Sequence, residues 1–181
     1  KLIYDEMKFI NKVSKEYSKA FIRKDKRNST HNLNINSVEY KKYLENLGYE
    51  WGNKSANKKI PEFIMKANDE VAKTFLRSYF DAECYVNPKC RQIEICSASS
   101  TLIYQLSLLL QRFNILCSFS EKEKMATNGK RIKRKYYVLC VCGSGVGEFF
   151  KKIGLNYKYK TDNYESIKTK PNTIKKENQY I

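Results

Sequence analysis

No stretch of this sequence is apolar for long enough to cross a bilayer, and no basic helix pattern carries a bulky apolar face that would hold it on a lipid surface. A membrane partner is therefore set aside. The opening residues, Lys1-Leu2-Ile3-Tyr4-Asp5-Glu6, have neither the basic start nor the apolar core of a secretory signal. We expect an intracellular protein of the cytoplasm or nucleoid, and the first residue, not a methionine, suggests a portion trimmed from something longer. Histidine is almost missing, with His31 alone. None of the six cysteines, Cys84, Cys90, Cys96, Cys117, Cys140 and Cys142, stands in the C-x-x-C spacing of a structural zinc site or a redox pair. They read as small buried hydrophobes in a reducing compartment. Acids are scarce, 19 against 35 bases, and the excess positive charge is spread along all 181 residues. A field of that sign attracts polyanions, so DNA or RNA is the leading partner. The length allows one compact body with a sizeable core, or two small similar halves sharing one, and we expect a single body.

What is present includes an internal repeat. Residues 32–49 and 137–155 each read as an alternating strand, a short polar break and an amphipathic helix, closed by Leu47-Gly48-Tyr49 and Ile153-Gly154-Leu155. Glycine in that place suits a left-handed helix stop. Upstream of each lies a helix (residues 4–17 and 100–113), a strand (20–24 and 116–122) and a charged turn. The second copy is preceded by a further helix at about residues 68–83, and by a hairpin from Tyr85-Val86 through the turn Asn87-Pro88 to residues 92–96. Thr127-Asn128-Gly129 carries the turn chemistry of the second hairpin. The expectation is an α+β fold of αββαββα repeats with antiparallel sheets. Residues 1–57 form the latter part of a first repeat and 58–155 a complete second one. Residues 156–181, rich in Lys, Asn, Tyr and Thr without periodicity, form a loosely ordered basic extension.

Strand parity singles out a free face. Ile93 and Ile95 alternate with Gln92 and Glu94, while Leu33 and Ile35 alternate with Asn32, Asn34 and Asn36. One face packs on helices, and the amides and carboxylates of the other suit base edges in a major groove, although any half-exposed sheet shows such alternation. Basic residues at the strand ends would grip the flanking phosphates: Arg23, Lys24, Lys26 and Arg27 in one turn, and Lys130, Arg131, Lys133, Arg134 and Lys135 in another. Lys89, Arg91 and Lys122 complete the candidate DNA contacts.

The helix at 68–83 has Asn68 as a cap, Asp69 and Glu70 in its first turn, and an apolar stripe of Val71, Ala72, Phe75, Leu76, Tyr79 and Phe80. Its end carries two acids, Asp81 and Glu83, where the helix dipole opposes negative charge by roughly 0.3–1 kcal/mol each. A divalent cation would reverse that penalty, since hard carboxylate oxygens bind Mg²⁺ alongside phosphates, whereas two surface acids near a fraying end are the plain alternative.

The run Leu76-Arg77-Ser78-Tyr79-Phe80-Asp81-Ala82-Glu83-Cys84 resembles the LAGLIDADG motif of homing endonucleases. Upstream, Lys58-Lys59-Ile60-Pro61 resembles the K-x-I-P segment that leads into the second motif of single-chain, intein-type members. Downstream, Ile95-Cys96-Ser97-Ala98-Ser99 and the helix after it resemble the family's continuation, so the likeness runs from about Asn32 onward. Ser78 stands for the motif's first glycine, Cys84 for its last, Arg77 is bulky beside Ser78, and Glu83 replaces the acid Asp of the eighth position.

The resemblance implies site-specific cleavage of double-stranded DNA with Mg²⁺. Glu83 would be the metal ligand and Asp81 the acid that shapes the helix end. Lys58 would be a cation near the scissile phosphate, with Lys160 or Lys158 its counterpart, and Gln92 would help position the water. It also implies a second acid-ended helix, upstream of Lys1, on a missing first-repeat segment or on a second copy. The end, Asn178-Gln179-Tyr180-Ile181, lacks the His-Asn of a splicing element, so splicing is not expected. The competing reading is a non-cleaving relative that binds DNA or RNA, whether maturase, regulator or remnant. A protein-interaction module is a third, and leaves the charge unexplained.

Overall fold

The computed structural model describes residues 19–24, 31–52, 55–125 and 133–168. In place of one compact body the chain divides into two units, Lys1–Trp51 and Gly52–Ile181. The expected helix at 4–17, the turn Thr127-Asn128-Gly129, and the bases Lys26, Arg27, Lys130 and Arg131 lie outside the described residues. Among the described residues no helix is long and apolar enough to cross a membrane.

In the first unit, β1 (Lys19–Lys24) pairs antiparallel with β2 (His31–Asn36). Ser37 then caps α1 (Val38–Asn46), its hydroxyl accepting from the Tyr40 amide at 3.0 Å. The helix stops where expected. Gly48 takes φ +86°, and Tyr49 N–H reaches back to the Leu44 carbonyl at 2.9 Å, a geometry that a side chain at position 48 would strain.

The second unit runs from a short helix, α2 (Glu62–Met65), to α3 (Asp69–Glu83), β3 (Tyr85–Val86), β4 (Gln92–Ser97), α4 (Ser100–Arg112), β5 (Ser118–Met125), β6 (Lys133–Cys142), α5 (Ser144–Lys152) and α6 (Lys158–Lys168). Its four strands form one antiparallel sheet in the order β3-β4-β6-β5. One face of that sheet, through Val86, Ile93, Ile95, Leu139 and Val141, packs on Leu76 and Phe80 of α3, Leu106 and Leu110 of α4, and Val146 and Phe149 of α5. Fully burying each such side chain contributes about 1.5–3 kcal/mol. Phe80 and Phe149 meet with ring centroids 4.7 Å apart, which fixes α3 against α5.

The caps follow the sequence. Asn68 accepts from the Val71 amide at 3.0 Å to begin α3, and Ser99 accepts from Leu102 N–H at 3.1 Å to begin α4. Gly154 at φ +71° ends α5, its amide on the Phe149 carbonyl.

Two expectations are corrected. The stretch after Asn156 is not a loose extension over residues 158–168. It forms α6, held by buried Ile167, by buried Lys160, and by Tyr164 stacked on Phe150 at 3.8 Å. Its sequence is too polar to show a helical stripe, because the residue that fills much of its buried face is a lysine. The cysteines are also not uniformly buried. Cys84 is, but Cys90, Cys96 and Cys142 are exposed, and all six are free. Positions 96, 140 and 142 fall on the strand parity opposite the core, where apolar runs in the sequence had suggested burial.

Candidate metal-binding helix end and open sheet face

The end of α3 treats its two acids oppositely. Asp81 is buried, and its carboxylate accepts from the Asn156 amide at 2.8 Å, from the Asn156 side-chain Nδ2 at 2.8 Å, and from the Tyr157 amide at 3.3 Å. These donors lie just before α6, so Asp81 ties the end of one helix to the start of another. Lys160 on α6 returns the tie. Its buried Nζ donates to the Phe80 carbonyl at 3.0 Å and the Asp81 carbonyl at 2.6 Å, satisfying acceptors that the helix end leaves orphaned. A cation at that terminus also offsets the dipole's opposition to nearby acids, a part expected above of a divalent cation.

Glu83 is exposed, and its carboxylate makes no hydrogen bond or ion pair among the described residues. Tyr79 lies one turn back. Burial, with the Glu83 charge adding to it, pushes its phenol up to about 12. Burial likewise pushes the neighbouring Cys84 thiol up to about 11, against the pull of Lys160. Both groups stay neutral at physiological pH, leaving Glu83 the free anion of the helix end.

The motif's departures are accommodated. Cys84, where the motif has glycine, takes φ −82° and ψ 152°, extended backbone open to any residue. The bulk of Arg77 is drawn aside, its Nε donating to the Ile153 carbonyl at the end of α5 at 2.7 Å, so that Ser78 remains exposed beside it.

Lys58 is exposed, and the Ser99 hydroxyl holds its carbonyl at 2.5 Å. Ile60 N–H on the Gln105 side chain at 2.7 Å fixes the same segment on α4. Tyr85 faces Glu94 in the register, so chain continuity carries Glu83 toward the Cys96 end of β4. The backbone of Lys58 is anchored at that same corner. Gln92 is not brought there: it sits two residues beyond Glu94 on the far side, about 13 Å of strand from the level of Cys96. Its amide donates to Glu94 Oε1, and its oxygen accepts from the Cys90 thiol at 3.4 Å. Water positioning near Glu83 does not suit that place.

The register sets out the open face of the sheet in rows. Gln92 stands opposite Cys142, and Tyr85, Glu94, Cys140 and Ser118 form the next row. Cys96, Val138 and Ser120 follow, then Tyr136 with Lys122, and Arg134 with Lys124. The face runs from an acid-amide end through thiols to a cationic end. Lys124, whose Nζ lies 3.3 Å from Cys96 Sγ, escaped the sequence reading although it shares parity with Lys122. Lys133 and Lys135 point to the other face, and Lys135 pairs with Glu121. Arg91 is turned away as well, donating to the Ile167 carbonyl at 3.4 Å and the Lys168 carbonyl at 2.6 Å at the end of α6. Lys89 is exposed in the β3–β4 turn, where Asn87 accepts from its amide at 2.9 Å. In the first unit, Arg23, Asn32, Asn34 and Asn36 share one face of the hairpin with exposed Phe21, while Lys24 lies on the other with Ala20 and Ile22.

Among the described residues no three His, Cys, Asp or Glu side chains cluster as a metal cage. The donor set is one free, hard carboxylate at a helix end, which suits a cation such as Mg²⁺ that takes one or two carboxylates and completes its shell with water and phosphate oxygens.

Residues 70–154 match the family model of the LAGLIDADG-like domain. The chain is also 41% identical over 114 residues, 63% of its length, to a probable translation initiation factor of Methanocaldococcus jannaschii. It is 35% identical over 144 residues, 76% of its length, to a glutamine–fructose-6-phosphate aminotransferase of the same organism, and 30% identical over 138 residues, again 76%, to a subunit of its DNA-directed RNA polymerase. It spans only 10%, 12% and 14% of those three relatives. The matched segment holds α3 from its second residue, α4, α5 and the whole four-stranded sheet, and this chain carries a LAGLIDADG-like domain over residues 70–154.

Proposed function

We propose that this chain is part of a site-specific, metal-dependent endonuclease for double-stranded DNA, of the inserted, intein-type kind. The observation that carries the reading is the contrast at the end of α3, where Asp81 and Lys160 lock the helix terminus and leave Glu83 free and solvent-facing. The relatives support insertion: three proteins named for unrelated activities share one segment that occupies about a tenth of each, so the shared segment does not account for any of those activities.

Glu83 would hold a divalent cation, which when bound supplies Lewis acidity to a phosphodiester oxygen and acidity to a bound water. Lys58 would place a positive charge near the scissile phosphate, where negative charge grows during attack. Asp81 and Lys160 act as positioning residues, because their polar atoms are held by backbone partners and removed from solvent. The open sheet face of the second unit would lie in the major groove, where Lys122, Lys124 and Arg134 would reach phosphates or guanines, and the Asn-rich face of the first unit's hairpin would by itself offer amides to base edges. Each DNA strand needs its own acid. The second would come from a helix equivalent to α3, on a paired repeat or on a second copy.

Two measurements test this. Duplex affinity should fall steeply with added salt, since phosphate contacts release counterions. A flat response removes nucleic acid as the partner. With Mg²⁺ the protein should cut both strands at one site, and binding without cutting would establish the non-cleaving reading instead.

A further inference from the structure

On the open face of the sheet, Glu94 is an acid out of place. It is half-buried, and no cation pairs with it among the described residues, although Lys122, Lys124 and Arg134 line the same face. One of its oxygens accepts from Gln92 Nε2, so its carboxylate is oriented, and its cross-strand neighbours are the small, weakly polar thiol of Cys140 on β6 and exposed Tyr85 on β3. A surface that docks on phosphates gains nothing from a fixed anion, which repels them. The groups a carboxylate does match on duplex DNA are the exocyclic amines in the major groove, above all cytosine N4.

Building on the DNA-binding reading, we infer that Glu94, oriented by Gln92, is a specificity residue that accepts a hydrogen bond from the amino group of a cytosine in the bound half-site. The thiol row beside it sharpens the prediction. Cys140 and Cys142 are two residues apart on one strand, about 6.8 Å, which is close to the rise of two base pairs. Their sulfurs offer the small, nearly apolar surface that packs on a thymine methyl and, as weak donors and acceptors, give little to a guanine or adenine edge. The half-site should therefore place a thymine two base pairs from its cytosine, on the Gln92 side, with Lys122 and Arg134 over the base pairs on the other side. An A-form RNA groove is too deep and narrow for a sheet to enter, so the same face predicts selection of DNA over double-stranded RNA.

The test begins with selection of sites by the chain from a pool of randomised duplex DNA. A cytosine should dominate one position, and Glu94→Gln, equal in size, should lose that preference by about tenfold and gain adenine, which a glutamine reads through N6 and N7. A second arm leaves the protein untouched: in the selected site, the cytosine is replaced by a pyrimidine with hydrogen in place of the 4-amino group. Affinity should fall about tenfold for the wild type and hardly at all for Glu94→Gln. Unchanged base preference in a folded Glu94→Gln, or full wild-type affinity for the analogue, overturns the inference while leaving DNA binding intact. Failure of the wild type to retain any duplex in a salt-sensitive manner sinks the DNA-binding reading itself, and the assignment of Glu94 with it.

Discussion

The inner and outer sides of the α3 terminus are two residues apart in sequence and differ in almost every physical respect. On the inner side Asp81 and Lys160 are sealed from water: the carboxylate is spent on Asn156 and the Tyr157 amide just before α6, and the ammonium on the last carbonyls of α3. On the outer side Glu83 keeps its carboxylate open. Buried charges persist only when paired or hydrogen-bonded, so the inner pair works for stability and geometry. An exposed acid with no partner contributes little to folding and is available to a ligand. The comparison separates residues that hold the site from the one that would perform its chemistry.

That separation can be broken by substitution, starting where the effect on stability is greatest. Asp81→Ala removes the acceptor for two amides and the Asn156 side chain and leaves Lys160 buried beside the gap. We expect a loss of about 3 kcal/mol in denaturant unfolding. A loss under half that figure would mean that α6 is not anchored through Asp81. Lys160→Met keeps the length of the side chain but orphans the Phe80 and Asp81 carbonyls, for a loss of about 2 kcal/mol. Should the variant prove more stable than the parent, the ammonium is a burden and the cap contributes nothing.

Alkali tests the neutral groups of the same corner. The folded-state values of the Cys84 thiol and the Tyr79 phenol are raised, to about 11 and about 12, from ordinary values of 9.0 and 10.0. A raised value means that the unfolded chain ionises first. Their contribution is full below pH 9 and is lost as pH climbs through 11 and 12, by roughly 2 kcal/mol for the thiol. Melting temperature followed across that range should decline, and Cys84→Ala should flatten the earlier part of the decline. A profile that is the same for both proteins would show that the thiol ionises equally well when folded.

Much of this arrangement was legible in the residues. The Asn68 cap, the stripe through Leu76 and Phe80, the glycine stops at 48 and 154 and the alternation of Ile93 and Ile95 are local patterns, and each reappears as a helix start, a buried face, a positive φ or a strand face. The motif run also marked Glu83 as the candidate metal ligand. What stayed hidden depends on partners far along the chain. Asp81 and Asn156 are 75 positions apart, and no periodicity announces a polar pair of that kind. For the same reason the sequence presents Lys160 as a candidate cation near the scissile phosphate and Arg91 as a candidate DNA contact, whereas in the fold both are held by backbone carbonyls. The cysteines misled in a different manner. Their flanking apolar residues pointed inward, and alternation turned three of the thiols out.

The most direct measurement is cutting by the Glu83→Gln protein, read beside its stability and its affinity for the same duplex. The account predicts that Mg²⁺-dependent double-strand cleavage is abolished while unfolding free energy stays within about 0.5 kcal/mol of the parent, as for other exposed substitutions, and DNA is bound as tightly. Cleavage at the parental rate by a folded Glu83→Gln protein would contradict it.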